Sequence, residues 1–133
     1  TKLKFAKSMS NSLIFTMDGQ LPTASADKTN LIVSKSISPI TQEDKKQFAV
    51  NRIYQLPLLI ESIEFTKDIN INGLSGYEIF AKAKNKKTAE TENIYYVILF
   101  TDNLYYILFG TTNDTSDASM SEIKKAILTF KKK

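Results

Sequence analysis

Carboxylates are the side chains of this 133-residue sequence best suited to acid–base chemistry, because the sequence contains no histidine and no cysteine. That absence excludes disulfide bonds, thiol nucleophiles, imidazole triads and zinc sites of the usual Cys/His kind. Two catalytic carboxylates must face one substrate from the same surface. The acidic neighbours do not meet this condition. Glu61 and Glu64 are not on one face of their predicted strand, and Glu90 and Glu92 lie in a predicted loop. Glu43 and Asp44 lie in the first turn of a predicted helix, where helix capping explains them. We therefore predict that the protein is not an enzyme and has no catalytic residues.

The segment NDTSD, from Asn113 to Asp117, is a candidate cation site through Asp114 and Asp117. It lacks the glycine and the terminal glutamate of an EF-hand loop, and turn and capping roles explain its residues more simply. The four glycines do not have the spacing of a phosphate-binding loop. We predict no metal site and no cofactor.

Lysines supply most of the net charge of +4, and they cluster at Lys82 to Lys87 and at Lys131 to Lys133. We interpret both clusters as solvated surface. Nucleic-acid binding is not predicted, because the aromatic residues lie in apolar runs and Arg52 is the single arginine. Arg52 lies near Phe48 in helical register, and an ion pair with an exposed glutamate is favoured over an anion site.

The apolar pattern predicts six strands and two helices. Strands are predicted at Leu13 to Met17, at Leu31 to Ile37, at Ile60 to Ile71 with Ile63, Phe65, Ile69 and Ile71 on one face, at Tyr77 to Lys84, and in both halves of Asn93 to Gly110. A first helix is predicted from a Thr41 cap to Leu56, before Pro57. A second helix is predicted from Ser119 and Glu122, which have capping-box spacing, to Phe130.

These elements predict one domain over residues 1–133, with residues 1–12 as a loose N-terminal lead or a marginal first strand. The predicted fold class is α+β, a three-layer α/β/α sandwich with a central antiparallel sheet and the element order β-β-α-β-β-β-β-α. The sandwich is predicted because the hairpin NIYYVILFTDNLYYILFG, from Asn93 to Gly110, is apolar on both faces and needs a helix over each.

The register of this hairpin follows from its turn. A two-residue turn at Asp102-Asn103, or a four-residue loop from Thr101 to Leu104, predicts the same strand pairing, whereas a three-residue loop would shift the pairing by one. One face is then predicted to hold the pairs Phe100–Tyr105, Ile98–Ile107 and Tyr96–Phe109. The other is predicted to hold the pairs Leu99–Tyr106, Val97–Leu108 and Tyr95–Gly110. Buried aromatic packing is favoured over ligand binding by the tyrosines.

The segments NGLSGYEIFAKAK, YYVILFTDNLYYILFGTT and IKKAILTF together resemble the PsbP-like family, over roughly residues 60–130. That family includes the extrinsic photosystem II subunit, the Ran-binding Mog nuclear-import factor and DcrB-type bacterial lipoproteins. The shared pattern is a Gly-x-x-Gly turn before a strand, an aromatic hairpin that ends in glycine, and a short helix that ends in Thr-Phe. The resemblance implies a single PsbP-like domain that acts as a non-enzymatic binding or accessory module of an exported bacterial protein, and it carries over no specific binding residue.

Two kinds of binding function follow. The first is binding of another protein, outside the cytoplasm, and the alternative is a carrier that holds a small apolar ligand between sheet and helix. A lined cavity of about 300 Å³ or more would favour the carrier. No transmembrane segment is predicted. Because the sequence starts at Thr1 without a methionine or a signal segment, it is predicted to be a processed product, and a lipid anchor could have been removed with the N-terminus.

Overall fold

The computed structural model describes residues 3–9, 12–20, 29–36, 45–56, 58–84, 89–101, 104–113 and 117–130. Within these ranges it contains one seven-stranded sheet and two helices. The strands are β1 (Lys4–Met9), β2 (Ser12–Thr16), β3 (Asn30–Ser36), β4 (Leu59–Ile71), β5 (Leu74–Lys84), β6 (Thr91–Phe100) and β7 (Tyr105–Thr112). The helices are α1 (Lys45–Ile53) and α2 (Asp117–Leu128). The strands lie in the order β1-β2-β3-β7-β6-β5-β4, and all neighbours are antiparallel.

The predicted three-layer α/β/α sandwich is wrong, because the structure is mostly antiparallel sheet with two short helices. Helices of 9 and 12 residues are about 14 Å and 18 Å long at ~1.5 Å per residue. Seven strands ~4.8 Å apart span about 29 Å. Neither helix therefore forms a layer across the sheet, and each covers only part of one face.

The predicted element order lacks one strand at the N-terminus, where residues 1–12 were predicted as a loose lead or a marginal first strand. Lys4–Met9 is instead the edge strand β1, paired with β2. Its Phe5 ring packs edge-to-face on Phe15, with the ring centroids 5.8 Å apart. A polar strand forms here because an edge strand needs only one hydrogen-bonded neighbour and one apolar contact.

The predicted register of the β6–β7 hairpin is confirmed, with Phe100 opposite Tyr105 and Tyr95 opposite Gly110. The backbone N–H of Thr101 donates to the Leu104 carbonyl at 2.9 Å and closes the hairpin. The predicted turn residues Asp102 and Asn103 lie outside the described residues. All residues of the six predicted pairs are buried except Tyr106, which is half-buried.

The two faces of this hairpin belong to two separate cores, as predicted. On one face, Phe48 and Ile53 of α1 pack with the aromatic pairs and with Ile79 of β5. On the other face, Ile123 and Ile127 of α2 pack with Val97, Leu99 and Leu108. The central strands β6 and β7 are therefore apolar on both sides because a helix covers them on both sides.

The β4–β5 hairpin turns at Asn72 and Gly73, which both have positive φ angles of 50° and 88°, as two-residue hairpin turns favour. The prediction that Ile63, Phe65, Ile69 and Ile71 share one face is wrong. Two register shifts interrupt the pairing of β4, one between Ile60 and Ser62 and one between Ile63 and Phe65. Each shift inserts a residue and reverses the face of the side chains that follow. As a result Ile63 contacts the α1 core, whereas Ile69 and Ile71 contact the α2 core.

The sheet consists of two sets of strands, β1–β3 and β4–β7, and within each set neighbouring strands follow one another in the sequence. The two sets meet where β3 pairs with β7. At one end of this β3–β7 pairing the Thr29 and Thr112 hydroxyls share a buried hydrogen bond of 2.7 Å, although 83 positions separate them in the chain. The pairing is the only link between the two sets within the sheet that the described residues form.

Both helices differ from their predicted bounds. The Thr41 cap lies outside the described residues, and α1 ends at Ile53 rather than Leu56, followed by turn hydrogen bonds from the Gln55 N–H to the Arg52 carbonyl and from the Leu56 N–H to the Ile53 carbonyl. Helix α2 begins at Asp117, so Ser119 is a buried residue of its first turn instead of its cap.

Candidate functional site

The carboxylates are spread over the molecule. Glu61 forms an exposed salt bridge of 3.6 Å with Lys84, and Glu64 accepts a hydrogen bond from Ser62. Burial raises the pKa of Glu92, and the nearby charge of Glu90 raises it further. Asp114 lies outside the described residues. No group of three or more acidic side chains that could hold a metal ion occurs within the described ranges.

The tyrosines of the central hairpin are packed in the interior, as predicted. The Tyr95 hydroxyl donates to a Glu78 carboxylate oxygen at 2.5 Å, and burial together with this bond raises the Tyr95 pKa. The Tyr105 ring packs edge-to-face on Phe48 with the centroids 5.0 Å apart. These rings are therefore core residues and do not form a binding surface.

An apolar groove of about 440 Å³ lies between α2 and the sheet. Side chains alternate between the two faces of β2 and β3, and on the α2 face Leu13 lies opposite Val33 and Phe15 lies opposite Leu31. On the other side of β3, Val33 lies opposite Leu108 of β7. Among the described elements, α2 packs on β6 and β7, and neither helix packs on this face of β1 to β3, so the groove lies beside α2. Its lining consists of Leu3, Leu13, Phe15, Leu31, Val33, Leu108, Ala126, Thr129 and Phe130.

Three contacts fix the helical wall of the groove. Gly110 lets α2 approach the sheet, because a Cβ at this position would overlap the side chain of Ile123. The Phe130 ring packs against Tyr106 with the centroids 5.0 Å apart. The Asn72 side-chain amide donates to the Phe130 carbonyl at 2.8 Å, which ties the end of α2 to the β4–β5 turn.

The groove offers a ligand apolar surface and no charge. Among its described lining residues Thr129 alone has a polar side chain, and its hydroxyl already donates to the Ala126 carbonyl at 2.7 Å. At its outer side Leu13 is 43 % exposed, and the neighbouring Phe5 is 55 % exposed. Such a surface can bind an apolar group by the hydrophobic effect.

The apolar pattern of the sequence indicated part of the lining of this groove. The alternation of Leu13 with Phe15 and of Leu31 with Val33 marks one apolar face, and Ala126 and Phe130 extend the apolar stripe of α2 beyond the core residues Ile123 and Ile127. Which strand lies beside α2 could not be inferred, because it depends on the pairing of β3 with β7.

A second depression, of about 620 Å³, lies where β4, β5 and β6 end on the α1 side. Its lining includes the charged side chains of Lys45 and Asp68. The Asn70 amide donates to the Ser75 hydroxyl at 3.0 Å, and the Lys45 ammonium lies 5.1 Å from the centroid of the Phe100 ring. We therefore take the apolar groove as the candidate ligand site.

The predicted ion pair of Arg52 with a glutamate is not formed with any described residue. Its Nη1 instead donates to the Gln55 side-chain oxygen on the same helix. Its Nε is buried and has no hydrogen-bond partner among the residues that the structure describes, and the same is true of the Tyr96 hydroxyl. Burial raises the Tyr96 pKa, while the positive charge of Arg52 lowers it.

Neither helix of the described chain is long and apolar enough to cross a membrane.

The fold and the groove define a seven-stranded antiparallel sheet protein with a candidate site for an apolar ligand. The structure is similar to that of a protein of unknown function from Pseudomonas aeruginosa, PA94, which is described as a proposed regulator, with a TM-score of 0.65, 13 % identity and coverage of 100 % of this chain and 99 % of that one. It is also similar to a structure from Bacteroides thetaiotaomicron, with a TM-score of 0.51 and 10 % identity, in which the match covers 91 % of this chain but only 39 % of the other. No family model and no curated protein sequence matches the chain. At these identities the similarities show a shared fold alone.

Proposed function

We propose that the protein is a non-enzymatic carrier of a small apolar ligand, which it holds in the groove between α2 and the β1–β3 face. The observation that supports this function is a groove of about 440 Å³ whose described lining bears no charged side chain. That volume lies within the range of ~300 to 1,000 Å³ that is usual for small-molecule sites.

The size and chemistry of the ligand follow from the lining. Burial of apolar surface contributes roughly 25 cal/mol per Å², so an uncharged aliphatic or aromatic molecule gains affinity from the whole lining. A charged group placed among these side chains would lose its hydration without finding a partner. The carrier is therefore proposed to take neutral apolar molecules.

Binding of a neutral apolar probe, N-phenyl-1-naphthylamine, tests this proposal. We expect saturable binding with a blue-shifted fluorescence emission, because the probe moves from water into an apolar site. Leu13→Glu places a charge in the lining at a partly exposed position, and Ala126→Leu fills the groove. Both variants are expected to weaken binding at least tenfold, which is a loss of about 1.4 kcal/mol.

Leu59→Glu is the matched control, because Leu59 is 57 % exposed on β4, at the opposite edge of the sheet. It should bind the probe as the unchanged protein does. Probe binding that is absent from the unchanged protein, or that is weakened equally by Leu59→Glu, would contradict the carrier function.

Binding of a protein partner is the second candidate function. It is favoured by the exposure of Phe5 and Leu13 on the adjacent strands β1 and β2, which extends the apolar surface beyond the groove. The PsbP-like membership, the exported bacterial origin and the extracytoplasmic location remain parts of this proposal, and they rest on the sequence segments that resemble that family.

A further inference from the structure

A depression of about 390 Å³ on α1 is lined mainly by residues with polar side chains, which the described lining of the apolar groove lacks except for Thr129. Its described lining residues all belong to α1 and its last turn, and none is acidic. They are Gln47, Phe48, Asn51, Arg52 and Gln55. The depression therefore combines one guanidinium, three carboxamides and one aromatic ring.

The guanidinium of Arg52 is incompletely paired within the described part of the chain. Nη1 donates to the Gln55 side chain, whereas Nε is buried without an acceptor. An N–H group of a charged side chain that is buried without an acceptor costs free energy, and the planar guanidinium fits a two-oxygen anion best. Because Nε has no exposed surface, an oxyanion would reach it only after the Arg52 side chain moves, and it would then supply the acceptor that Nε lacks.

The described lining of the depression has no acidic side chain, so the negative end of the α1 dipole is the one feature there that disfavours an anion. The carbonyls of Arg52 and Ile53 at the end of α1 accept hydrogen bonds from Gln55 and Leu56, so they do not point unpaired at a ligand. The Gln47 amide donates to the Asn51 side-chain oxygen at 2.9 Å, which occupies that acceptor. The Tyr96 hydroxyl on β6 is a second buried group without a hydrogen-bond partner in the described ranges, and it lies close enough for the charge of Arg52 to affect its pKa.

We propose that Arg52 anchors an oxyanion site on α1, which takes a carboxylate or a phosphate group. The site lies on the opposite side of the sheet from the apolar groove, so it is separate from the carrier function.

Because Arg52 is the single arginine, its Nε–Hε NMR signal can be followed without ambiguity in the unchanged protein. We expect this signal to shift saturably when inorganic phosphate or sodium acetate is added at constant ionic strength. A tighter response to one of the two identifies phosphate or carboxylate as the preferred group. Absence of a saturable shift with both anions would overturn the proposal, and this measurement needs no variant.

Arg52→Gln is expected to weaken binding of the preferred anion about tenfold or more, as followed through the amide signals of α1, since it removes charge-assisted hydrogen bonds. Lys46→Gln is the matched control, because it removes one positive charge from an exposed position on the same helix. Unchanged affinity in Lys46→Gln would support the site. Equal weakening in both variants would show general charge attraction and would overturn it.

Discussion

Replacing Gly76 by alanine is expected to lower the free energy of unfolding by about 3 kcal/mol or more. A Cβ on Gly76 would overlap the carbonyl oxygen of Ile98 and lie 2.8 Å from its carbonyl carbon. These are backbone atoms of β6, which is paired on both edges and covered on both faces, so they cannot move aside as a side-chain end could. Urea denaturation followed by circular dichroism measures the loss.

Gly73 offers a matched comparison in the same hairpin. A Cβ there would meet nothing within 4 Å, so Gly73→Ala is affected only by the positive φ of 88°. Such a conformation costs about 1 to 2 kcal/mol for a residue with a side chain. Equal losses in the two alanine variants would mean that β5 and β6 do not approach as closely at Gly76 as described.

Replacing either Leu108 or Ile107 by alanine is expected to cost ~2 to 5 kcal/mol of stability, because each substitution leaves a cavity in a packed core. Leu108 is 1 % exposed in the α2 core and Ile107 is 5 % exposed in the α1 core. Thermal or urea denaturation of the two variants therefore tests the two faces of one strand separately.

Leu128→Ala serves as the control for these variants, since Leu128 is 55 % exposed on α2. Its effect should stay within about 0.5 kcal/mol. A core variant that loses no more stability than this control would mean that its face of the hairpin is open to water.

The central hairpin was predictable because its information is local. A short connection fixes which residues lie opposite each other, and the continuous apolar runs show that both faces are buried. The closing helix was predictable for the same reason, through the spacing of Ile123, Ile127 and Phe130. Both elements carry their pattern in consecutive residues.

Three other features were not predictable from local pattern. Strand β1 has few apolar residues, and its stability comes from pairing with β2 and from the Phe5–Phe15 contact. The register shifts of β4 depend on its fit to β5 and invert an alternation that the sequence presents as regular. The groove needs Leu3 before β1 together with residues from β2, β3, β7 and α2, so it could be found only after the strand order was known.

The hydrogen bond between Thr29 and Thr112 has a consequence for how the protein folds. The β1–β3 and β4–β7 sets can each form from neighbouring segments, but β3 and β7 pair residues that are distant in the chain, from Ser36 with Tyr105 at one end to the Thr29–Thr112 bond, across 83 positions, at the other. Closing such a long loop is entropically unfavourable until the strand contacts compensate for it. The rate of folding should therefore be limited by this one long-range encounter. Because Leu31 and Val33 lie on one side of the junction and Leu108 on the other, the apolar groove does not exist in a chain that has folded only its two halves.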